Sequence, residues 1–244
     1  MLLDSVLSSI DSGNCIDTIY LDFAKAFDKV PRQRLLYKLQ SYGITRSLLQ
    51  WIAAWLIGRK QRVHIARAES QWTDVTSGVP QGSVLGPLLF LLFINDLGID
   101  IHKSTTVLKF ADDTKLFGIC NNESDYIKLQ EDVSKLESWA LAWQMKFKVD
   151  KCTVMHIGSG NKKCSYQLGI SVLESTDIQK YLRIWKSNDL KFEFHTLEAY
   201  KKANKMLGMI KRTVVHKDKC KKKLRFRHEL TANGTSRTAQ ITKM

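Results

Sequence analysis

Two adjacent aspartates, Asp112 and Asp113, sit in a short turn between apolar flanks, with Val107, Leu108 and Phe110 before them and Leu116 and Phe117 after. Side chains alternate faces along a strand, so neighbouring carboxylates both approach one point only where the chain turns. So placed, they repel each other unless a cation lies between them. Hard, oxygen-preferring Mg²⁺ suits such a pair. With a third carboxylate the group would hold two ions ~3.5–4 Å apart, the geometry of in-line phosphoryl displacement. Asp22, at the end of another apolar strand, is the natural third; Asp28 is a second candidate, or a helix N-cap before Pro31. Taken alone, an Asp-Asp pair is more often a solvated turn than a metal site.

The elements that would position these groups are legible in the hydrophobic pattern. Residues 17–23 (DTIYLDF) are β-branched and aromatic, a strand ending at Asp22 or Phe23. Pro31 opens a helix with Leu35, Leu36 and Leu39 at helical spacing and Gly43 as its stop; Thr45 or Ser47 opens a second, closed by Gly58. Residues 62–66 and 72–76 alternate in the β manner and read as a hairpin, followed by the Gly-Val-Pro-Gln-Gly segment 78–82. The apolar run 84–94 contains Pro87 and is too short to span a bilayer, so it reads as a buried helix. Residues 106–110 and 115–119 are strands around Ala111-Asp112-Asp113, and 124–145 a long amphipathic helix. Strands are expected at 152–157, 166–170 and 181–185 and a helix at 197–212. This order is α+β with an antiparallel sheet packed on helices.

With 244 residues, 44% hydrophobic, 25% charged and only 3 Pro, the chain has the makings of a real core and is not a disordered polyelectrolyte. Its net charge of +14 is concentrated in one place: residues 201–244 hold 14 Lys/Arg and 2 Asp/Glu. The global charge is therefore a tail property and does not argue for a basic patch on the body. From position 216 onward periodicity is lost, and a disordered basic tail is expected at 217–244, either a solvated segment, a nuclear-import patch or a nucleic-acid contact. Five Cys without a CxxC pair fit a reducing compartment, and the first ten residues lack a basic n-region; the expectation is an intracellular protein, nuclear or cytoplasmic, with no membrane partner.

Three blocks occur in order: YLDFAKAFDKVP (20–31), SGVPQGSVLGPLLFLLFINDL (77–97) and FADD (110–113). Together they resemble the reverse transcriptase of non-LTR, LINE-type retrotransposons of the jockey-like group. The resemblance runs from about residue 1 to 217. It implies a polymerase palm with motifs A to E at 22–185, a remnant of fingers and lead-in at 1–21, and the start of a helical thumb at 186–216. It makes Asp22, Asp112 and Asp113 the metal-binding triad, with the Phe23 carbonyl as a further ligand, for two Mg²⁺ or Mn²⁺ ions. Phe27 resembles the gate that excludes a 2′-OH, or is an ordinary core aromatic. Gln81 and Gly82 would meet the incoming nucleotide, or form a plain strand-to-helix turn. Lys151 resembles the lysine that protonates pyrophosphate, or is a solvated surface lysine. Tyr181 and Leu182 resemble the primer grip, where Arg183 replaces the usual Gly and Lys148 replaces a usual Asn.

The implied activity is RNA-directed DNA polymerisation on an RNA template and DNA primer with dNTPs. About twenty residues precede Asp22, so the chain reads as a truncated copy without most of a fingers region. A second reading is a catalytically inactive remnant that binds nucleic acid through its basic tail; a two-metal nuclease or phosphatase is a third, which leaves the Gln-Gly block unexplained.

Overall fold

The computed structural model describes residues 2–65 and 68–213. The chain divides into two compact units, residues 1–191 and 192–244. The first opens with helix α1 (Leu2–Asp11) and strand β1 (Ile16–Leu21), followed by the single turn α2 (Ala26–Lys29) and helices α3 (Arg32–Ser41), α4 (Arg46–Leu56) and α5 (Leu85–Phe93). Strands β2 (Thr105–Phe110) and β3 (Asp113–Ile119), helix α6 (Glu123–Ala142) and strands β4 (Thr153–Ile157), β5 (Glu174–Ser175), β6 (Ile178–Tyr181) and β7 (Ile184–Ser187) complete it. Among the described residues the second unit holds helix α7 (Glu193–Thr213).

The central sheet has the order β5-β4-β1-β3-β2, antiparallel except where β5 joins β4. β1 is its middle strand and is buried along its whole length. On one face Ile19, Leu21, Leu116 and Val154 pack beneath α3 to α6 in the main core. On the other, Ile16, Tyr20, Met155 and Ile157 form a smaller cluster with Val6 of α1. Period-two alternation places Asp17 among the main-core residues and Asp22 on the opposite face, with Tyr20.

Asp17 is held there by a polar network. His156 Nδ1, directly across the β1–β4 pair, lies 2.7 Å from Asp17 Oδ1, Asn161 Nδ2 donates to the same oxygen at 2.7 Å, and Tyr166 Oη donates to Oδ2 at 2.6 Å. Burial alone would raise the Asp17 carboxyl, but these bonds outweigh it and hold it below the ordinary carboxylate value, while burial and the Asp17 charge push the Tyr166 hydroxyl up.

Several expectations need correction. The 84–94 run is helical but not wholly buried: Leu89, Phe90 and Phe93 enter the core, whereas Val84, Leu88 and Leu91 stand in solvent. Helix faces exceed what one core can cover, and an all-apolar composition hides which face is turned inward. Residues 62–66 and 72–76 do not pair with each other. Lys60–Gln61 pairs with Thr73–Asp74, and His64–Ile65 with Ala68–Glu69 inside that loop, so the register differs from the one alternation suggests. The long helix ends at Ala142, past which Gln144 takes φ 56 and breaks the helical path. The strand expected at 166–170 is reduced to Gln167–Leu168, paired with Ser171–Val172. The helix expected at 197–212 spans Glu193–Thr213. Asp28 is no N-cap; α3 follows Pro31 without a side-chain cap. The tail at 217–244 lies outside the described residues.

The strand expected at 181–185 is the turn of a hairpin. Tyr181 pairs with Ile184, and Leu182 and Arg183 bridge them at φ 49 and 68. Such a two-residue turn with both φ positive favours Asn-Gly, and a side chain at Arg183 is strained there. Arg183→Gly is expected to stabilise the protein by roughly 0.5–1 kcal/mol, relief of the left-handed strain exceeding the entropy glycine adds to the unfolded chain. A higher urea midpoint with unchanged slope would show it; an unchanged or lower midpoint would refute it.

Candidate active site

The hairpin between β2 and β3 carries the paired aspartates to the end of β1. Phe110 pairs with Asp113, so Ala111 and Asp112 form a two-residue turn, with Ala111 at φ 52. Leu21 pairs with Thr114, which sets Asp22 beside Asp113 on the sheet face away from α3 to α6. The carboxylates act on one another electrostatically. Burial first, then the charges of Asp112 and Asp22, raise the Asp113 carboxyl above its ordinary value, with Lys151 acting against them. Lys151 Nζ lies 2.7 Å from Asp22 Oδ2; this hydrogen bond and the charges of Asp22, Asp112 and Asp113 raise its ammonium. One cation thus senses all three carboxylates.

Among the described residues no group of three His, Cys, Asp or Glu side chains is drawn together closely enough to hold a metal ion as it stands. The donor set nonetheless fits a hard cation. Lys151 is already seated against Asp22, and a divalent ion would compete with it for the same oxygens. The Phe23 carbonyl is outside the local ladder, which runs from Lys148 N to Asp22 O (2.7 Å) and from Ala24 N to Lys146 O (2.8 Å). The Phe23 ring is buried against Phe147, centroids 4.3 Å apart, and anchors this end of β1.

Asp22, Phe23, Phe27, Gln81, Asp112 and Lys151 line one cleft of about 730 Å³. Phe27 is half-buried and stacks on Phe90 of α5 at 4.5 Å, so it packs on the core and faces the cleft at once. Gln81 is exposed, and its amide makes a long 3.5 Å contact to Asp28 Oδ1, the role Asp28 has here in place of a carboxylate beside Asp22. The loop is pinned at its start. Gly78 takes φ 82 and lies so close to α2 that a Cβ would come within 2.6 Å of the Phe27 and Asp28 carbonyls, while Gly78 N donates to Val30 O and Val79 N to Phe27 O. Gly82, at φ 80, has no atom of the chain within 4 Å of where a Cβ would stand, so its face is open to an incoming molecule. Ser83 Oγ fixes the far end, donating to Pro80 O and accepting from Gly86 N.

A second recess joins Asp22, Asp113 and Lys151 to Tyr20, Gln179 and Tyr181 of the β6–β7 hairpin. Burial, then the Asp113 charge, raises the Tyr181 hydroxyl, which places the ring beside that carboxylate; Leu182 occupies the strained turn. Sequence reasoning missed Lys115, two residues along β3 from Asp113. It is 6% exposed, with Tyr20, Phe117 and Tyr181 rings within 6.0 Å, and burial followed by the Lys186 charge pushes its ammonium down to about 8. The signal was a lysine in an otherwise apolar strand. Its folded-state value lies below the unfolded one, so the chain gains stability from this group as pH rises from about 8 towards 10.5 and loses it as pH falls through 8. Lys115→Met is therefore expected to be more stable than the parent at pH 7, with an advantage that shrinks by pH 10. Paired urea titrations test this, and a pH-independent difference would contradict it.

Comparison with known proteins agrees with this architecture. Residues 10–221 match the family model described as reverse transcriptase (RNA-dependent DNA polymerase). The chain is 28% identical over 204 residues to the RNA-directed DNA polymerase from mobile element jockey of Drosophila funebris, covering 80% of this chain and 22% of that protein. It is 29% identical over 154 residues to the probable RNA-directed DNA polymerase from transposon X-element of Drosophila melanogaster, covering 59% of this chain and 16% of that protein. The chain thus spans about a fifth of the length of these curated relatives. In fold it is similar to telomerase from Candida tropicalis, with a TM-score of 0.52 at 10% identity over 79% of this chain and 33% of that one. The family match spans nearly all the described residues and places this chain in the reverse transcriptase family, with LINE-type mobile elements as its relatives.

Proposed function

We propose that the chain is the palm of an RNA-directed DNA polymerase that extends a primer 3′-OH along an RNA template, with residues 22–185 as the palm, 1–21 leading into it and 186–216 beginning the thumb. The observation that carries this reading is the seating of Lys151 among Asp22, Asp112 and Asp113. Divalent metal is general to the family; here Asp22, Asp112, Asp113 and the Phe23 carbonyl would hold two Mg²⁺ ions, Mn²⁺ being an alternative. When bound, the ions supply activation of the attacking hydroxyl and stabilisation of charge on the leaving pyrophosphate.

The chain's own residues do the rest. Lys151, whose ammonium lies 2.7 Å from Asp22 Oδ2, would give its proton to the departing pyrophosphate oxygen. Gln81 offers its amide to the nucleotide over the open face of Gly82. Phe27, braced by Phe90, stands where it would exclude a ribose 2′-OH. Tyr181 and Leu182 rest against the primer end beside Asp113. The test is Mg²⁺-dependent extension of a DNA primer on an RNA template by the purified chain. Extension supports the reading, whereas salt-sensitive binding of primer-template without extension would favour the inactive remnant. Among the described residues no helix is long and apolar enough to cross a membrane.

A further inference from the structure

Outside the cleft, one row of side chains crosses three adjacent strands of the central sheet, β1, β4 and β5. Asp17 of β1 stands directly opposite His156 of β4. Ser175 of β5 pairs with Val154, two residues before His156 and on the same face by period two. The three therefore share one face, and the distances link them in a line. His156 Nδ1 lies 2.7 Å from Asp17 Oδ1, and His156 Nε2 lies 3.2 Å from Ser175 Oγ. Asn161 and Tyr166 fix Asp17 from its other sides and help to keep it charged, so the ring holds a proton on Nδ1 and, when neutral, offers Nε2 to the serine hydroxyl.

Burial falls off along this line. Asp17 is 1% exposed and His156 7%, whereas Ser175 is exposed on the edge strand. A buried carboxylate and imidazole that end on an open hydroxyl have the order of an orienting group, a base and a nucleophile. Thr176 N donates to Val154 O at 2.8 Å, and the alternation of the ladder then turns the Ser175 amide away from β4, off the open edge of the sheet. That N–H lies next to Oγ and can receive charge developing on a carbonyl oxygen. We propose that Asp17, His156 and Ser175 form a second catalytic centre, separate from the polymerase cleft, that hydrolyses small carboxylic esters. An exposed Oγ on an edge strand suits a small acyl group, which needs no deep pocket. Ser175 Oγ bonds to the ester carbonyl carbon as its proton passes to His156 Nε2. Collapse of the adduct breaks the bond to the alcohol, which leaves with that proton. Water repeats the sequence on the acyl-serine, releasing the carboxylic acid and restoring the hydroxyl. Asp17 is the positioning residue, acting through the ring.

The test joins covalent labelling to turnover. The full chain is treated with a fluorophosphonate, which phosphonylates an activated serine with loss of fluoride, and the labelled residue is read by peptide mass spectrometry. Hydrolysis of p-nitrophenyl acetate is followed on the same proteins. Labelling at Ser175 is expected in the folded chain but not in urea, is expected to vanish in Ser175→Ala, and should slow by at least about 10²-fold in His156→Gln. Ser138→Ala, at an exposed serine of α6, should leave both readouts unchanged. Should the histidine variant fail to fold, Asp17→Asn, shown to be folded by its urea transition, is expected to slow labelling to a similar degree, a loss that a purely structural aspartate would not cause. Ester hydrolysis should fall at least about tenfold in Ser175→Ala. Labelling of Ser175 no faster than that of Ser138 overturns the proposal, as does equal ester hydrolysis by the parent and Ser175→Ala.

Discussion

Asp112→Asn is expected to abolish primer extension, lowering the rate by at least about 10³-fold while leaving the fold intact. Asp112 sits in a two-residue turn at the surface end of the β2–β3 hairpin, where its carboxylate contributes charge rather than packing. The amide has nearly the same volume and removes one unit of negative charge from a trio in which burial first, then mutual repulsion, raises Asp113. If the trio cages divalent ions, a neutral member forfeits several kcal/mol of charge stabilisation, and each 1.36 kcal/mol is tenfold in rate. A thermal midpoint close to the parent's separates this loss from unfolding. Extension within tenfold of the parent's would remove Asp112 from the site.

Asp17→Ala is expected to cost about 3–5 kcal/mol of stability. Asp17 is 1% exposed and accepts from His156, Asn161 and Tyr166. Its removal takes away the carboxylate that buried His156 and Tyr166 and half-buried Asn161 share, and opens a small void opposite Gly118, its partner on β3. Asp17→Asn keeps the volume and one acceptor oxygen, and should cost less. The carboxyl lies below its ordinary value when folded, so its contribution is present above that value and fades as pH falls through the folded one. Urea unfolding of the two variants at neutral pH measures both costs; a loss below about 1 kcal/mol for alanine would show that the network is neutral to the fold.

The features closest to the candidate chemistry were also the most legible in sequence. β1 and the hairpin around Asp112 announce themselves because alternation, apolar flanks and a two-residue polar turn all specify the same geometry. Where those signals conflict or saturate, the reading failed. The uniformly apolar α5 carries no information on which face is exposed, and the 60–75 ribbon alternates without fixing its register, so Lys60 rather than residues 62–66 pairs with the returning strand. Arg183 reads as an obstacle to a tight turn, yet the hairpin forms with the strain absorbed, because four paired positions hold it on either side. The Asp17 network joins positions well over a hundred residues apart, and composition gives no hint of it. An aspartate inside the apolar strand IDTIYL was the available clue, since a buried carboxylate must find partners.

The face of the central sheet also explains why the chemistry sits where it does. The helices cover one side, and the short hairpins and α1 leave the other open at the end of β1, where Asp22, Asp113 and Tyr181 meet. A strand end at a sheet rim offers rigid placement with solvent access, and the buried lysine two residues along β3 shows how quickly that access closes.

The most direct test of this account is an equilibrium titration of Mn²⁺ followed by electron paramagnetic resonance, on the parent and on Asp22→Asn/Asp112→Asn. Saturable Mn²⁺ binding by the parent that disappears in the double variant is the result expected of carboxylates converging on divalent ions. Identical binding curves for the two proteins would contradict it.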